Sequence, residues 1–221
     1  MKKYVEAKKF NFEDIKGISK RQLLQHYTLY EGYVNKVNEI WSELSKNLDY
    51  ENPNQTYSQI RSLKLGESFA VNGTKLHEMY FENLGGERNK PYGEILKLIE
   101  ERYGFYEFFK KRFRDIGLSV RGWVILAIDS IDRNIHIFGS DAHDVGSIWL
   151  SYPLLIMDVY EHAYMIDFGV DRRKYIDEFF NNINWKVVND RLKYYNNLFK
   201  DEKYDKPIKP KANPWMKYYT Y

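Results

Sequence analysis

The sequence predicts an α+β protein, in which an N-terminal antiparallel helical hairpin precedes an α/β domain with a small three-stranded antiparallel sheet. The first observation is that apolar residues recur at helical spacing through most of residues 19–83. The second is a change of pattern beyond residues 84–91, a linker with two glycines and a proline, after which short β-rich runs follow. We therefore predict a helical hairpin domain over residues 1–84, an α+β domain over residues 92–199 and an irregular extension over residues 200–221.

The first arm of the hairpin is predicted as one long helix over residues 19–46, a stretch without proline. Ser19 and Gln22 are spaced as a capping box, in which each side chain accepts from the other residue's backbone N–H. The apolar residues at helical spacing are Leu23, Leu24, Tyr27, Tyr30, Val34, Val37 and Trp41.

The second arm is predicted in two pieces, a short helix over residues 57–65 and a long helix over residues 69–83. Residues 49–54 contain asparagine and proline and predict the turn that reverses the chain. Two long helices joined in this way form an antiparallel hairpin.

The second domain is predicted to contain two helices, three strands and two further helices, in that order. Turn residues separate the strands, and Gly104 separates the first two helices. These elements are predicted over residues 94–103, 105–114, 122–128, 134–138, 153–157, 174–180 and 185–198.

Composition excludes several classes of function. The chain has no cysteine, so disulfides, thiolate metal sites and thiol catalysis are excluded, and a metal could be held only by nitrogen and oxygen ligands. A formal net charge of +3 from 34 basic and 31 acidic residues gives little support for nucleic acid binding. No signal-peptide pattern or membrane-length apolar run is present, so a cytoplasmic protein without a membrane partner is expected.

A carboxylate and an imidazole stand four residues apart in Asp158 and His162, directly after the apolar run 153–157. The spacing suits metal ligation, although such pairs also occur on solvated helical turns. His26 and His77 lie in predicted helices rich in aromatic residues. The chain can therefore offer three imidazoles and one carboxylate to one redox-capable transition metal.

Three segments together resemble the iron/manganese superoxide dismutases. They are the Gly-Trp pair at residues 122–123, DVYEHAY at residues 158–164 and YIDEFFNNINW at residues 175–185. The resemblance implies one Fe or Mn ion per subunit, held by three histidines, one aspartate and a solvent molecule. It also implies an antioxidant activity in which the superoxide anion is converted to oxygen and hydrogen peroxide.

The family's ligand positions fall on four residues of this chain. The resemblance implies that Asp158 and His162 are the last two ligands and that His77 is the second. The first position falls on His26 when it is counted forward from residues 18–20.

Counted backward from residues 33–35, the first position falls on Gln25 instead, so one residue is missing between the ligand and Tyr33. We favour His26 because an imidazole binds these metals far better than a neutral amide. In the alternative, His26 only packs or faces solvent.

The resemblance gives two further residues a catalytic role. His143 occupies a position where many members of the family carry glutamine, and it would hydrogen-bond the metal-bound solvent, either as donor or as acceptor. The alternative is an exposed loop histidine. Tyr33 would be the phenol that gates the substrate path and relays protons, although the missing residue turns it by about 100° around the helix. His136, between two isoleucines of a strand, is expected at the surface.

The resemblance also implies a homodimer or homotetramer. Glu161 would reach across a two-fold interface to the other subunit's ligand histidine. Tyr164 would pair with a histidine on the other subunit's first helix, but that position is Leu29 or Tyr30 here. Of these two contacts between subunits, only the one made by Glu161 therefore has both of its residues in this chain.

Two classes of function follow from these residues. The first is an active superoxide dismutase, and retention of all four ligand positions favours it. The second is a catalytically weakened or inactive member of the family that keeps the fold for binding or assembly. The missing residue favours this alternative, as do Phe81 and Tyr160, which stand where relatives usually have tryptophan, and Thr74, where some have histidine.

Overall fold

The computed structural model describes residues 4–46, 48–86, 90–146 and 148–199. Its helices are α1 (Lys20–Leu44), α2 (Gln59–Glu82), α3 (Gly93–Tyr103), α4 (Tyr106–Ser119), α5 (Met165–Phe168), α6 (Arg172–Asn181) and α7 (Trp185–Leu198). Its strands are β1 (Trp123–Asp129), β2 (Ile135–Ser140) and β3 (Ser151–Asp158), and a 3-10 turn, Glu161–Ala163, follows β3. No helix within these ranges has the length and apolar character that a membrane crossing requires.

The predicted α+β class is therefore confirmed, with helices first and a three-stranded antiparallel sheet after them. The division into domains at residues 84 and 92 stays a prediction. The predicted extension over residues 200–221 lies outside the described residues.

Helices α1 and α2 form the antiparallel hairpin. Near one end, the indole Nε1 of Trp41 donates to Glu67 Oε1 at 2.9 Å. Towards the other end, the rings of His26 and His77 lie 5.0 Å apart. Residue numbers thus rise along one helix as they fall along the other, which brings the first half of α1 beside the second half of α2.

The second arm of the hairpin is a single helix, so the predicted break between residues 65 and 69 is wrong. Ser58 caps α2 by accepting from the backbone N–H of Arg61. Gly66 lies inside the helix, and a Cβ atom there would be 3.4 Å from Ile40 Cδ1 on α1. A glycine inside a helix costs roughly 1 kcal/mol relative to alanine, and packing against α1 outweighs that cost.

The start of α1 is fixed by a long-range interaction. The Ser19 hydroxyl accepts from the backbone N–H of Gln22, as the capping box requires, but the Gln22 side chain does not return to Ser19. Instead, Gln22 Nε2 donates to the carbonyl of His162 at 2.6 Å, and its Oε1 accepts from the N–H of Ile166 at 3.0 Å. Ser19 itself donates to Asp167 through both its N–H and its hydroxyl. The second half of the predicted capping box is therefore wrong, and Gln22 ties α1 to the segment that follows β3.

The sheet has the strand order β2-β1-β3, and both pairings are antiparallel. The ends of the predicted strands agree with the observed ends to within two residues. A β-bulge interrupts the pairing of β1 with β3 between Leu126 and Ala127. Because β3 is an edge strand, one side of its backbone has no neighbouring strand, and Asp158 is its last residue.

One cluster of buried side chains runs from the hairpin through the sheet to the last two helices. It includes a residue from each of α1, α2, α4, β3 and α6, namely Leu23, Tyr80, Phe113, Leu155 and Phe179. Shared burial of this kind couples the hairpin to the sheet, because neither surface could face water without loss of apolar burial.

Candidate metal centre

Four predicted side chains, three imidazoles and one carboxylate, converge at one place in the structure. Their possible ligand atoms all lie within 4.8 Å of one another. His26, His77 and Asp158 are buried, whereas the side chain of His162 is 26% exposed. The structure thus brings together residues from α1, α2, β3 and the 3-10 turn that are up to 136 positions apart in the sequence, from His26 to His162.

Local structure explains how each side chain reaches this place. His26 and His77 occupy the facing sides of the two hairpin helices. Asp158 ends β3, where it pairs with Trp123 of β1, and its Oδ1 accepts from the N–H of Tyr160 at 2.8 Å. The tight turn after the strand then returns His162 to the same carboxylate.

The three imidazoles approach a single oxygen of Asp158. Oδ2 lies 3.1 Å from Nε2 of His26, 3.2 Å from Nε2 of His162 and 3.6 Å from Nε2 of His77. Oδ1 is held by the backbone, so the carboxylate cannot turn without loss of that hydrogen bond.

The hydrogen bonding of His77 shows what kind of ligand these atoms suit. Its Nδ1 donates to the carbonyl of Gly73 at 2.6 Å, which places the proton of the neutral ring on Nδ1. The lone pair of Nε2 then faces the carboxylate oxygen of Asp158, and among the described residues Nε2 has no hydrogen-bond partner. These two electron-rich atoms face each other in a buried place. A cation bound to both would remove the electrostatic repulsion between them.

The pKa values of these side chains also favour metal binding. Burial lowers the pKa of His77 to about 3, with a further contribution from His26, so its ring is neutral at pH 7. Burial likewise lowers the pKa of His26. For Asp158, burial favours the neutral acid, but the neighbouring His162 and His26 outweigh it and hold the pKa of the carboxyl well below its usual range. For His162, burial favours the neutral ring, but the charge and hydrogen bond of Asp158 outweigh it and raise the pKa of the imidazole. The site therefore presents an ionised carboxylate and two neutral imidazoles, and a bound cation would displace the proton of His162, because metal binding requires deprotonated ligands.

The two residues predicted as alternative first ligands lie in different surroundings. His26 is buried and reaches Asp158, whereas Gln25 is exposed to solvent. Of the two registers predicted from the sequence, only the one that uses His26 places a side chain in the group.

His143 lies beside this group and outside it, because it is not among the converging ligand atoms. The side chain is buried, so the alternative of an exposed loop histidine is wrong. Trp123 Nε1 donates to His143 Nδ1 at 2.9 Å. Burial lowers the pKa of His143 to about 4, so at pH 7 the neutral ring carries its proton on Nε2. The imidazole is thus fixed as an N–H donor, which removes the choice between donor and acceptor that the sequence left open.

Tyr33 also lies beside the group, despite the missing residue. Its ring centroid is 4.7 Å from that of His143 and 5.2 Å from that of His77. Tyr33 follows His26 by seven residues, which is close to two full turns of 3.6 residues, so both face the same side of α1. Burial and the charge of Asp158 raise the pKa of its phenol, which stays protonated at neutral pH.

Sequence reasoning missed the role of two residues around His143 and Tyr33. The sequence presents Trp123 only as part of the Gly-Trp pair that opens a strand, and no local pattern indicates its hydrogen bond to a residue 20 positions away. Gly73 provides space: a Cβ atom there would lie 3.0 Å from Tyr33 Cδ1 and 3.2 Å from His143 Cδ2. A glycine inside a long predicted helix is the signal that could have indicated such a close approach.

Three further residues named from the sequence are not among the converging ligand atoms. His136 is partly exposed on β2, and its Nε2 lies 3.0 Å from Asp132 Oδ1. Glu161 is exposed beside His162. Tyr164 is buried, and its hydroxyl accepts from Arg172 Nε at 3.2 Å within the same chain.

The helical hairpin and the small antiparallel sheet share a buried group of three imidazoles and one carboxylate. This combination defines a class of protein that can hold one metal ion through nitrogen and oxygen atoms alone. Residues 91–191 match the model of the C-terminal domain of iron/manganese superoxide dismutases. The chain is 39% identical over 184 residues to "Superoxide dismutase [Fe]" of Aquifex aeolicus, which covers 81% of this chain and 86% of that protein. The chain belongs to the iron/manganese superoxide dismutase family, and the resemblance stated from the sequence is confirmed.

Relatives named for either metal match the chain. "Superoxide dismutase [Mn]" of Haloarcula marismortui is 33% identical over 173 residues, which cover 76% of this chain and 82% of that protein. "Superoxide dismutase [Fe]" of Sulfolobus acidocaldarius is 32% identical over 186 residues, covering 81% of this chain and 88% of that protein. The family therefore supports Fe or Mn as the cofactor of this chain, in agreement with its ligand atoms.

The burial of His26 and the exposure of Gln25 predict opposite outcomes for two adjacent substitutions. His26→Ala should leave the protein with less than a tenth of the metal that the unsubstituted chain holds after dialysis, because one nitrogen of the group is lost. Gln25→Ala should keep the metal-to-protein ratio unchanged, and circular dichroism would check that both variants fold. Metal loss from Gln25→Ala with retention in His26→Ala would show that the other register is correct.

Proposed function

We propose that the chain acts as a superoxide dismutase at a mononuclear Fe or Mn site, with one ion per subunit. The observation that carries this proposal is the convergence of three imidazoles and one carboxylate in a buried place, where His77 Nε2 faces Asp158 Oδ2 without a proton between them. The residues proposed as ligands are His26, His77, Asp158 and His162.

In the overall reaction, two superoxide anions and two protons give one oxygen molecule and one hydrogen peroxide molecule. The bound ion would supply the electron exchange, by taking one electron from the first superoxide and returning it to the second. The task of the protein is to hold the ion, to lower its charge and to deliver protons. Asp158 lowers the charge, because its carboxylate is ionised.

We propose that His143 donates a hydrogen bond to the solvent or substrate at the ion. Trp123 holds Nδ1 as an acceptor, so the neutral ring carries its proton on Nε2 and can donate from that atom. A glutamine in this position would also offer an N–H while its oxygen accepted from Trp123. His143 thus replaces the glutamine of many relatives without a change in the kind of hydrogen bond.

Tyr33 is proposed as the group that passes protons towards the site. Its phenol is half-buried and stays protonated at neutral pH, and its ring lies against both His143 and His77. A protonated phenol at this place can donate to a peroxide product and recover its proton from water. The route needs no movement of the metal-binding residues.

The inactive alternative loses its two main arguments. The residue missing from α1 leaves Tyr33 beside the site, as described above. The two altered aromatic positions still pack on proposed ligands, because the Phe81 ring is 5.1 Å from His26 and the Tyr160 ring is 5.1 Å from His162. No observation favours a role in assembly alone.

We further propose a homodimer or homotetramer with Glu161 near the interface. His162 is the one proposed ligand with an exposed part, and the exposed Glu161 directly precedes it. A carboxylate from another subunit could accept from the ring nitrogen of His162 that does not face Asp158 and exclude water from it. The other half of the predicted interface is unsupported, because Tyr164 is engaged with Arg172 and Tyr30 donates to Glu78. A cytoplasmic location, with neither nucleic acid nor membrane as partner, stays a prediction.

The rate of superoxide decay tests the proposed activity. Protein loaded with Fe or Mn should accelerate the decay in proportion to its metal content, and removal of the ion should abolish the effect. His26→Ala serves as the control for loosely bound metal, since it should lack the site. Fully loaded protein that does no more than the same concentration of free ion would support the inactive alternative.

His143 is expected to affect turnover without affecting metal binding. His143→Ala should keep the metal content but lower turnover by about tenfold or more, since one hydrogen bond worth about 1.4 kcal/mol in the transition state corresponds to a factor of ten. His143→Gln should restore most of the activity through its amide N–H. Its activity when loaded with Fe is compared with its activity when loaded with Mn, to detect a changed metal preference. Loss of metal from both variants would make His143 a ligand, and full activity of His143→Ala would make it a bystander.

Glu161 is expected to affect association and metal retention together. Glu161→Ala should shift the sedimentation coefficient towards the monomer and should speed metal release several-fold, because His162 would lose its partner across the interface. Asp171→Ala is a suitable control, since Asp171 caps α6 and contacts no proposed ligand. A wild-type protein that sediments as a metal-loaded monomer would contradict this prediction.

A further inference from the structure

The end of α2 is joined to β3 by two buried polar side chains, Asn83 and Arg191. Asn83 Nδ2 donates to the carbonyl of Ile156 at 2.6 Å. Arg191 Nη1 donates to Asn83 Oδ1 at 2.6 Å and to the carbonyl of Leu154 at 2.9 Å, and its Nη2 donates to the carbonyl of Met79 at 3.0 Å. We name these two side chains the Asn83–Arg191 brace.

The brace supplies hydrogen-bond donors to the carbonyls of the edge strand β3. β3 has a neighbouring strand on one side only, and a buried carbonyl without a donor costs about 1–3 kcal/mol. The carbonyls of Leu154 and Ile156 accept from the brace, and the carbonyl of Asp158 accepts from the hydroxyl of Tyr175 at 2.7 Å. Side chains from three other elements thus take the place of a fourth strand.

The brace also lies close in sequence to two proposed ligands. Met79 follows His77 by two residues on α2, and Ile156 precedes Asp158 by two residues on β3. Because one planar guanidinium contacts both elements and the Asn83 side chain, it fixes the acceptors in one arrangement. The brace thus joins the two backbone segments that carry His77 and Asp158, whose Nε2 and Oδ2 atoms lie 3.6 Å apart.

We propose that Asn83 and Arg191 are positioning residues for the metal centre, which set His77 against Asp158 and so control how firmly the ion is held. The inference rests on the proposed function, because it takes His77 and Asp158 as ligands. Neither Asn83 nor Arg191 touches the converging ligand atoms, so their effect is exerted through the backbone of α2 and β3.

Loss of stability alone cannot test this proposal. Arg191 is buried, and it also pairs with Glu82 Oε2 at 2.8 Å, so its removal destabilises the fold in any case. A matched control lies two residues away on α7. Asn189 accepts from the N–H of Ile95 at 3.1 Å and donates to the carbonyl of Tyr92 at 3.0 Å, which joins α7 to α3. Helix α3 carries no proposed ligand.

The experiment compares Asn83→Asp, Arg191→Met and Arg191→Lys with Asn189→Ala in the metal-loaded protein. Asn83→Asp keeps an acceptor for Arg191 but turns an oxygen towards the carbonyl of Ile156. The readouts are the rate of metal release to a chelator, well below the melting temperature of each variant, and the visible absorption spectrum of the cobalt-substituted protein.

Asn83→Asp and Arg191→Met should release the ion about tenfold faster than the unsubstituted chain and should shift the cobalt spectrum. Arg191→Lys should lie between them and the unsubstituted chain, because it restores the charge and some of the donors. Asn189→Ala should lower the melting temperature without a change in either readout.

The proposal is overturned if the brace variants release metal at the rate of Asn189→Ala and keep the unsubstituted spectrum. If Arg191→Met does not fold, Asn83→Asp and Arg191→Lys decide by the same two readouts. A wild-type chain that holds no metal refutes both the brace and the proposed function. A wild-type chain that holds metal, with brace variants indistinguishable from the control, refutes the brace alone.

Discussion

The carboxylate of Asp158 is the charge around which the rest of the site is arranged. It is fully buried, where an isolated charge would be strongly disfavoured, and one of its oxygens faces the Nε2 atoms of three imidazoles. Hydrogen bonds from two imidazoles can offset part of the cost. The third imidazole, His77, cannot donate at Nε2, because its proton is held by Gly73. A cation is the simplest solution for the whole group, and Fe or Mn meets the demand for nitrogen and oxygen ligands.

Such a site requires elements from distant parts of the chain to meet with little freedom. The hairpin supplies two imidazoles, and the end of β3 with its following turn supplies the carboxylate and the third imidazole. Gln22 ties the start of α1 to the turn that carries His162. Asn83 and Arg191 tie the end of α2 to β3. The contacts of Asn83 and Arg191 satisfy carbonyls of β3 that would otherwise be buried without partners, so contacts that complete the fold also hold the site together.

Much of the fold could be predicted because its signals are local. The periodicity of α1 and the turn residues between the strands placed those elements to within a few residues, and the spacing of Asp158 and His162 indicated a shared role. The break predicted inside α2 was wrong because the preference of Gly66 is weak against packing on Ile40. The reciprocal bond of Gln22 was wrong because its Oε1 accepts from the N–H of Ile166, 144 positions away, while the N–H of Ser19 donates to Asp167. Contacts between residues this distant leave no pattern in a single sequence, and the same holds for Trp123 with His143 and for Asn83 with Arg191.

The central claim is that the four converging side chains hold one redox-active ion. It is tested most directly by elemental analysis of the purified chain after expression with iron and manganese both supplied. The account predicts about one ion of Fe or Mn per chain, retained through extended dialysis. A chain that retains only zinc, or no metal at all, would contradict it.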